Sequence, residues 1–340
     1  MARMGALEHE IEIENPAAPG LTTPDVSVIV VSWNSARWIG RCLRSVRPAS
    51  GALSTETLVL DNASGDDSAA LAREAADDRT VILESAVNRG FAGGLNELIR
   101  AARGRYILLL NPDCEPQPGA IEALVRHLDA TGVEGAAPLL VGDDGETQRD
   151  FQLRRFPTAR SLVSDALLFD ELHPKNRASA VYRYAEADIS VPIAIEQPAG
   201  AALMLRREVV ERIGPFDERF HPAWFEDVDY CRRIADDDGV LHLVPAARFH
   251  HWGGASVDIL GFGRFLEHWY RNMFRYAEKW MKPAEVELVR WSLIGGMAMR
   301  VVASMFGLGK RAGTRREAMR TYTRILKQAW RRWDATSQSS

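Results

Sequence analysis

A chain of 340 residues can build one large α/β domain with a helical appendage, or two ordinary domains. Its apolar fraction of 46% and charged fraction of 26% are those of a soluble globular protein, and a net charge of -4 excludes a general attraction for nucleic acid. Three cysteines, Cys42, Cys114 and Cys231, lie far apart without CxxC spacing, which excludes a disulfide frame and predicts reduced packing residues in a cytoplasmic protein.

Residues 1–24 mix Arg3 with Glu8, Glu10, Glu12 and Glu14 and hold no apolar run, so they read as a flexible tail and not as a secretory signal. From residue 25 strands and helices alternate, which predicts a mostly parallel sheet with crossover helices. Residues 26–31 are a buried-strand run, and a helix is expected from Ser35, whose hydroxyl can cap it. Further strands are expected at 57–60, 81–83 and 106–110, with helices at 92–102 and 118–130, the second opening on Pro118. Residues 142–198 read as a loop-rich insertion that shapes an acceptor site. A strand at 200–205, a helix at 226–235 and a strand at 240–244 complete a domain spanning 25–260.

Residues 261–335 are helical, rich in tryptophan and arginine. The stretch 291–309 comes nearest to a membrane span, but Arg300 at its centre costs about 2.5–3.5 kcal/mol there, so no span is expected. Over 315–333, Ala318, Met319, Tyr322, Ile325, Leu326, Ala329, Trp330 and Trp333 recur at three- and four-residue steps among seven basic residues. That pattern predicts an amphipathic helix lying on an anionic membrane surface, with packing on the domain or a homodimer contact as the alternatives.

Chemistry-bearing residues gather at strand ends, where ligands bind in open α/β sheets. Asp61, Asn62 and Ser64 end the second strand and suit a base or ribose, or simply a polar turn. Asn111 and Asp113 follow the strand at 106–110, and oxygen ligands at i and i+2 suit a hard divalent cation between phosphates. Between them, Asn88, Arg89, Gly90 and the glycines up to Asn96 open a helix whose N–H groups can meet phosphate, although close packing explains the glycines equally well. Glu226, Asp227 and Asp229 place three carboxylates in four positions, and their repulsion raises a pKa as a general base needs. His250 and His251, expected on a loop, offer a metal ligand or phosphate donor, although a lone histidine pair is more often structural.

Six segments together resemble the family-2 inverting glycosyltransferases, closest to the bacterial rhamnosyltransferase branch, over about residues 25 to 256. They are Val28 to Asn34, Asp61 to Asp66, Asn88 to Asn96, Leu110 to Asp113, Gly214 to Phe220 and Phe225 to Asp229. The resemblance implies an α/β protein of the GT-A class, a Rossmann-like nucleotide-diphospho-sugar transferase with a mostly parallel central sheet, flanking helices and a C-terminal helical extension. It implies that Ser32, Asn34, Asp61, Asn62, Ser64, Asn88, Arg89, Gly90, Asn96 and Asn111 hold a nucleotide-sugar. Asp113 and His251, with His250 as the fallback, would bind Mg²⁺ or Mn²⁺, and Asp227, seconded by Glu226, would be the catalytic base. Asn111 stands where many relatives carry Asp. The implied donor is dTDP-L-rhamnose, ahead of UDP-sugars and GDP-mannose, and the acceptor a lipid-linked saccharide at the inner face of the plasma membrane. A non-catalytic nucleotide-sugar or polysaccharide-binding module is the alternative; a sugar nucleotidyltransferase is disfavoured, because its glycine-rich, arginine- and lysine-bearing signature is missing near the first strand, where Val31 to Asn34 stand instead.

Overall fold

Strand β1, Val26–Ser32, is buried along its whole length, and the period-two alternation of its side chains divides them between two cores. Val26, Val28 and Val30 join Tyr106, Leu108 and Leu110 of β4 (Tyr106–Leu110) on one side, while Ile29 and Val31 join Ile107 and Leu109 on the other. Helices α1 (Ile39–Ser50), α2 (Ser68–Ala75) and α4 (Ala120–Thr131) cover the first face. Helix α3 (Gly90–Ala101) and the later helices cover the second. The computed structural model describes residues 23–169, 177–253, 259–307 and 314–333, so all but the end of the expected N-terminal tail, and Gly254 to Ser256 after the histidine pair, lie outside the described residues.

The sheet is mixed but mostly parallel. β1 pairs in parallel with β2 (Thr55–Asp61) and β4, and β2 with β3 (Thr80–Glu84). β10 (Ala202–Arg206) runs antiparallel between β4 and β6 (Gly135–Val141), and β11 (Leu241–His251) lies parallel to β6. Short strands β5 (Cys114–Pro116) and β8 (Ile193–Ile195) flank β11 antiparallel. The order is β3-β2-β1-β4-β10-β6-β11-β5, which brings the ends of β1, β2 and β4 to one edge of a common cleft.

Several expectations change. The helix after β1 begins at Ile39 and not at Ser35; the Ser35 carbonyl accepts the N–H groups of Trp38 and Ile39 instead. β11 does not stop at 244 but continues through a register break between Val244 and Arg248, where Pro245 has no N–H to give the ladder. His250 and His251 therefore sit on a strand between β5 and β6, not on a loop. The insertion is more regular than expected: α5 (Arg149–Gln152), α6 (Ala159–Ala166), α7 (Arg177–Tyr182) and a two-stranded ribbon of β7 (Leu153–Arg154) with β9 (Gln197–Pro198) lie within it. The cysteines are free and buried, as packing residues should be.

Two further helices, α8 (Arg207–Ile213) and α9 (Glu226–Asp236), precede a C-terminal group of α10 (Phe262–Trp280), α11 (Pro283–Met305) and α12 (Arg315–Trp330). The apolar face of α12 is turned inward: Ala318, Tyr322, Ile325 and Ala329 are buried in one core with Tyr276, Val289, Leu293 and Met297. It is not the free membrane face that periodicity alone suggested, because α10 and α11 cover it. What remains outside is one side of α11 and its end, with Leu288, Trp291, Met299, Val302, Met305 and Phe306 exposed and Trp330 set edge-on to Trp291 at 5.5 Å. Among the described residues α11 is the one helix long and apolar enough to cross a membrane. Its other side is fixed to the domain, where Arg300 Nη1 donates to the Ala166 carbonyl at 2.6 Å and Gly296 passes against that same carbonyl.

Candidate active site

At the edge where β1 and β2 end, Ser32 stands opposite Asp61 in register. The Ser64 N–H donates to Asp61 Oδ2 at 3.0 Å, whereas Asp61 Oδ1 and Ser32 Oγ are buried with no partner. Such orphan polar atoms are rare in native interiors and mark a place where a ligand completes the bonding. Asn34, held at a φ of +48°, closes the rim: its N–H donates to Ser64 Oγ at 2.9 Å and its Oδ1 accepts the Gly65 N–H at 2.7 Å. Asn62 is tied down on the cleft wall, accepting the Arg89 N–H at 2.8 Å and donating to Asn88 Oδ1 at 3.2 Å and to the Gly90 carbonyl at 3.1 Å.

The glycine-rich opening of α3 turns out to serve packing. Gly90 has a φ of +73°, and a Cβ there would lie 2.7 Å from the His221 ring; the Phe91 N–H, first of the expected phosphate donors, gives its hydrogen bond to the Pro222 carbonyl at 2.7 Å. Arg89 turns away to Ser85 Oγ at 3.2 Å and toward Glu97. Asn96 is fully engaged with the chain at Phe216 and Glu218, accepting the Phe216 N–H at 2.8 Å and donating to Glu218 Oε1 at 2.8 Å, so it staples α3 to that loop and leaves nothing for a nucleotide.

Beyond the end of β4, Asn111 keeps an unpartnered, buried Oδ1 and Asp113 faces His251 of β11, with Oδ2 and Nε2 3.7 Å apart. Gln148 orients that imidazole through Oε1 at 2.6 Å from Nδ1, and Phe151 stacks on it at 4.8 Å, which leaves Nε2 directed at the carboxylate. Burial raises the Asp113 carboxyl against the pull of His251, and burial lowers the His251 imidazole against the pull of Asp113. Asp113, Cys114 and His251 could together hold a metal ion. Cys114 is the weakest of the three: burial pushes its thiol far up, and Sγ donates to the Ala201 carbonyl at 3.4 Å. His250 reaches outward, to Asp143 at 3.0 Å.

The third group is carried by the first turn of α9. Trp224 and Phe225 both hold left-handed backbone, at φ +74° and +72°, a strain of about 1–3 kcal/mol each that swings the helix start into the cleft. Asp227 Oδ2 accepts the Gly200 N–H at 2.9 Å and Oδ1 the Val228 N–H at 2.8 Å. Burial raises its carboxyl above the usual range, while those N–H groups and the charge of Arg154 pull it back. Glu226 is pushed further, by burial and then by Asp227, and its Oε2 has no partner. Both carboxyls of the pair are thus raised, Glu226 with the additional push of its neighbour's charge. Asp229 does not belong to the expected triple repulsion. It is fully buried on the opposite side of α9, bonded to Trp280 Nε1 at 2.8 Å and Lys279 Nζ at 2.7 Å, and so locks α10 to α9.

Asn62, Asn88, Asn111, Asp113, Glu226 and Asp227 line one cleft, whereas Ser32, Asn34, Asp61 and Ser64 stand close in the chain to its lining residues Val31, Trp33, Ser35 and Asn62 without lining it themselves. The same cleft is lined by residues that the sequence did not single out, among them Trp33, Phe151, Arg154, Gln197, Gly200, Trp224 and Trp269. For Gly200 the clue was the small-residue run Gly200-Ala201-Ala202 before a strand; the others are brought in by insertion and helix packing that no local pattern announces.

Residues 27–214 match the family described as glycosyl transferase family 2. The succinoglycan biosynthesis protein ExoO of Rhizobium meliloti (strain 1021) is 33% identical over 157 residues, 44% of this chain and 45% of that protein. The N-acetylglucosaminyl-diphospho-decaprenol L-rhamnosyltransferase of Mycobacterium tuberculosis (strain CDC 1551 / Oshkosh) is 26% identical over 211 residues, 57% of this chain and 62% of that protein. The chain thus spans about half to three fifths of the length of these relatives. The fold is shared with the mannosyltransferase PcManGT from Pyrobaculum calidifontis, solved with GDP-Man and Mn²⁺, at a TM-score of 0.52 and 17% identity over 92% of this chain and 88% of that one.

Proposed function

The chain belongs to glycosyl transferase family 2 and is a glycosyltransferase, and from that premise we propose that it is an inverting enzyme that moves L-rhamnose from dTDP-L-rhamnose to a hydroxyl of a lipid-linked saccharide in envelope glycan synthesis. The observation that carries the mechanism is Asp227, a recessed carboxylate fixed by two backbone N–H groups and raised in pKa, in the same cleft as Asp113 and Asn111 with its unpartnered Oδ1. Asp227 accepts the proton of the acceptor hydroxyl as that oxygen bonds to the anomeric carbon; the bond from that carbon to the diphosphate breaks, and the nucleoside diphosphate leaves with the electron pair. One displacement inverts the anomeric centre.

The donor set fits a divalent cation: a carboxylate, a neutral imidazole oriented by Gln148, and an unpartnered Asn111 oxygen nearby. Asp113 and His251 would hold Mn²⁺ or Mg²⁺, and an ion there supplies positive charge to the departing diphosphate. The imidazole favours Mn²⁺ over Mg²⁺. Rhamnose as the sugar is supported by the relative named L-rhamnosyltransferase and by the aromatic lining of Phe151, Trp224 and Trp269, which suits a 6-methyl group. UDP-sugars and GDP-mannose are the alternative donors.

The exposed apolar side of α11, with Trp330, Met305 and Phe306, lies beside the solvent face of α12, where Arg315, Arg316, Arg320, Lys327 and Arg331 are exposed. Apolar and aromatic groups bordered by cations suit the surface of an anionic bilayer, so the enzyme works as a peripheral protein at the cytoplasmic face, where a lipid-linked acceptor resides. Screening the purified protein for release of dTDP, UDP or GDP from a panel of nucleotide-sugars, with membrane lipid extract as acceptor, tests the reading. Preferential release of dTDP from dTDP-L-rhamnose is expected; release from another donor alone would replace rhamnose.

A further inference from the structure

The ribbon of β7 and β9 sets Arg154 directly opposite Gln197, and both side chains line two cavities at once. One is the cleft of Asp227. The other lies behind it, bounded by Ser161, Leu162 and Tyr182, and shares none of Trp33, Asn62, Asn111 or Asp113 with the first. Gln197 is only 5% exposed, yet its Oε1 has no hydrogen-bond partner. Among the described residues the Arg154 guanidinium makes no hydrogen bond and no ion pair, whereas Arg149 is engaged with the Ala185 carbonyl, Arg155 with Glu196 and Arg183 with Asp150. The second cavity is lined by Arg154 together with Asp165 and Arg183, and Arg183 is already held by Asp150 at 3.7 Å.

An unpaired guanidinium calls for an anion, and a buried, unpartnered amide oxygen calls for a hydroxyl or N–H donor within the same ligand. We propose that the second cavity is a phosphate subsite for the acceptor, in which Arg154 pairs with a phosphate of a phosphate-linked saccharide and Gln197 Oε1 accepts a hydrogen bond from a hydroxyl or amide N–H of its sugar. This deepens, and rests on, the lipid-linked acceptor reading above. Asp113 does not line the second cavity, which distinguishes a phosphate held there from the donor diphosphate, and the wall shared with the first cleft lets a sugar held there present a hydroxyl to Asp227.

Calorimetry on the full chain in EDTA, with farnesyl diphosphate, farnesol and N-acetylglucosamine 1-phosphate as probes, tests it without donor or turnover. Farnesyl diphosphate should bind the parent, bind Arg154→Gln at least about tenfold more weakly and recover in part with Arg154→Lys, while farnesol binds parent and variant alike. Gln197→Leu should weaken N-acetylglucosamine 1-phosphate and spare farnesyl diphosphate. Melting curves matching the parent establish that the variants are folded. Equal farnesyl diphosphate affinity in parent and Arg154→Gln overturns the proposal, as does binding that appears only with Mn²⁺, which would put the diphosphate at Asp113. Because nothing here depends on transfer, failure of this subsite leaves the glycosyltransferase mechanism standing, and failure of the transfer assay leaves the subsite standing.

Discussion

Gly200 is placed so that one methyl group should test the base. A Cβ on it would lie 2.8 Å from Asp227 Oδ2 and 3.0 Å from Asp227 Cβ, where ordinary contact begins at 3.4 Å. Gly200→Ala must therefore push the carboxylate aside by roughly half an ångström and stretch the 2.9 Å hydrogen bond that aims it. Misplacing a reacting group by about 1 Å costs on the order of 100-fold, so half of that corresponds to about tenfold in kcat, or about 1.4 kcal/mol in the barrier. Asp113 and His251 lie on other elements, β5 and β11 with their connection to β4, so donor affinity should stay within about twofold. Initial rates of nucleoside diphosphate release at saturating donor, with donor titrations by calorimetry on the same preparations, separate the two effects. A kcat equal to the parent's, or a loss that follows donor affinity instead, would refute the placement of the base.

The rate should also carry the raised pKa of Asp227: the base works deprotonated and its pKa stands above the ordinary 3.8, so kcat/KM falls as pH drops through a value higher than that. An acid limb at or below 3.8 would count against it. Asp113→Ala and His251→Ala should each remove the Mn²⁺ dependence of donor binding; calorimetry showing equal donor affinity with and without Mn²⁺ in the parent rejects a metal role. Replacing Met305 and Phe306 by Glu should weaken sedimentation with anionic liposomes by about tenfold or more, since each buried side chain contributes about 1.5–3 kcal/mol and the new charges repel the surface. Unchanged sedimentation, or a parent whose mass doubles with concentration and falls in the variant, would assign that surface to a dimer.

The sheet and the strand-end carboxylates were legible because both follow from short-range rules. Runs such as Val26 to Val31 and Tyr106 to Leu110 can only be buried strands, and polar residues directly after them must surface at the strand ends. What the sequence could not settle was direction and company. Asp229 reads the same as Asp227 in the chain, but a helix places them on different faces, and only the arrival of Lys279 and Trp280 from 50 residues on makes Asp229 an anchor. The glycines of α3 read equally as a phosphate cradle or as packing, and the contact with the chain at Pro222 decides for packing. Likewise the periodicity of α12 shows that it has an apolar face, not what covers it; α10 and α11 do, and the free apolar surface belongs to α11. Gln148, Arg154 and Gln197 carried no signal at all, since each acts through a partner distant in the chain.

The most direct test of the account is the activity of Asp227→Asn, measured as sugar transferred from the donor found in the panel to lipid extract, alongside donor affinity. Removing a positioned general base costs about 10²- to 10⁴-fold, so transfer should fall by at least about 100-fold while donor binding is retained. Turnover within about tenfold of the parent would contradict the assignment of Asp227 as the base on which the mechanism rests.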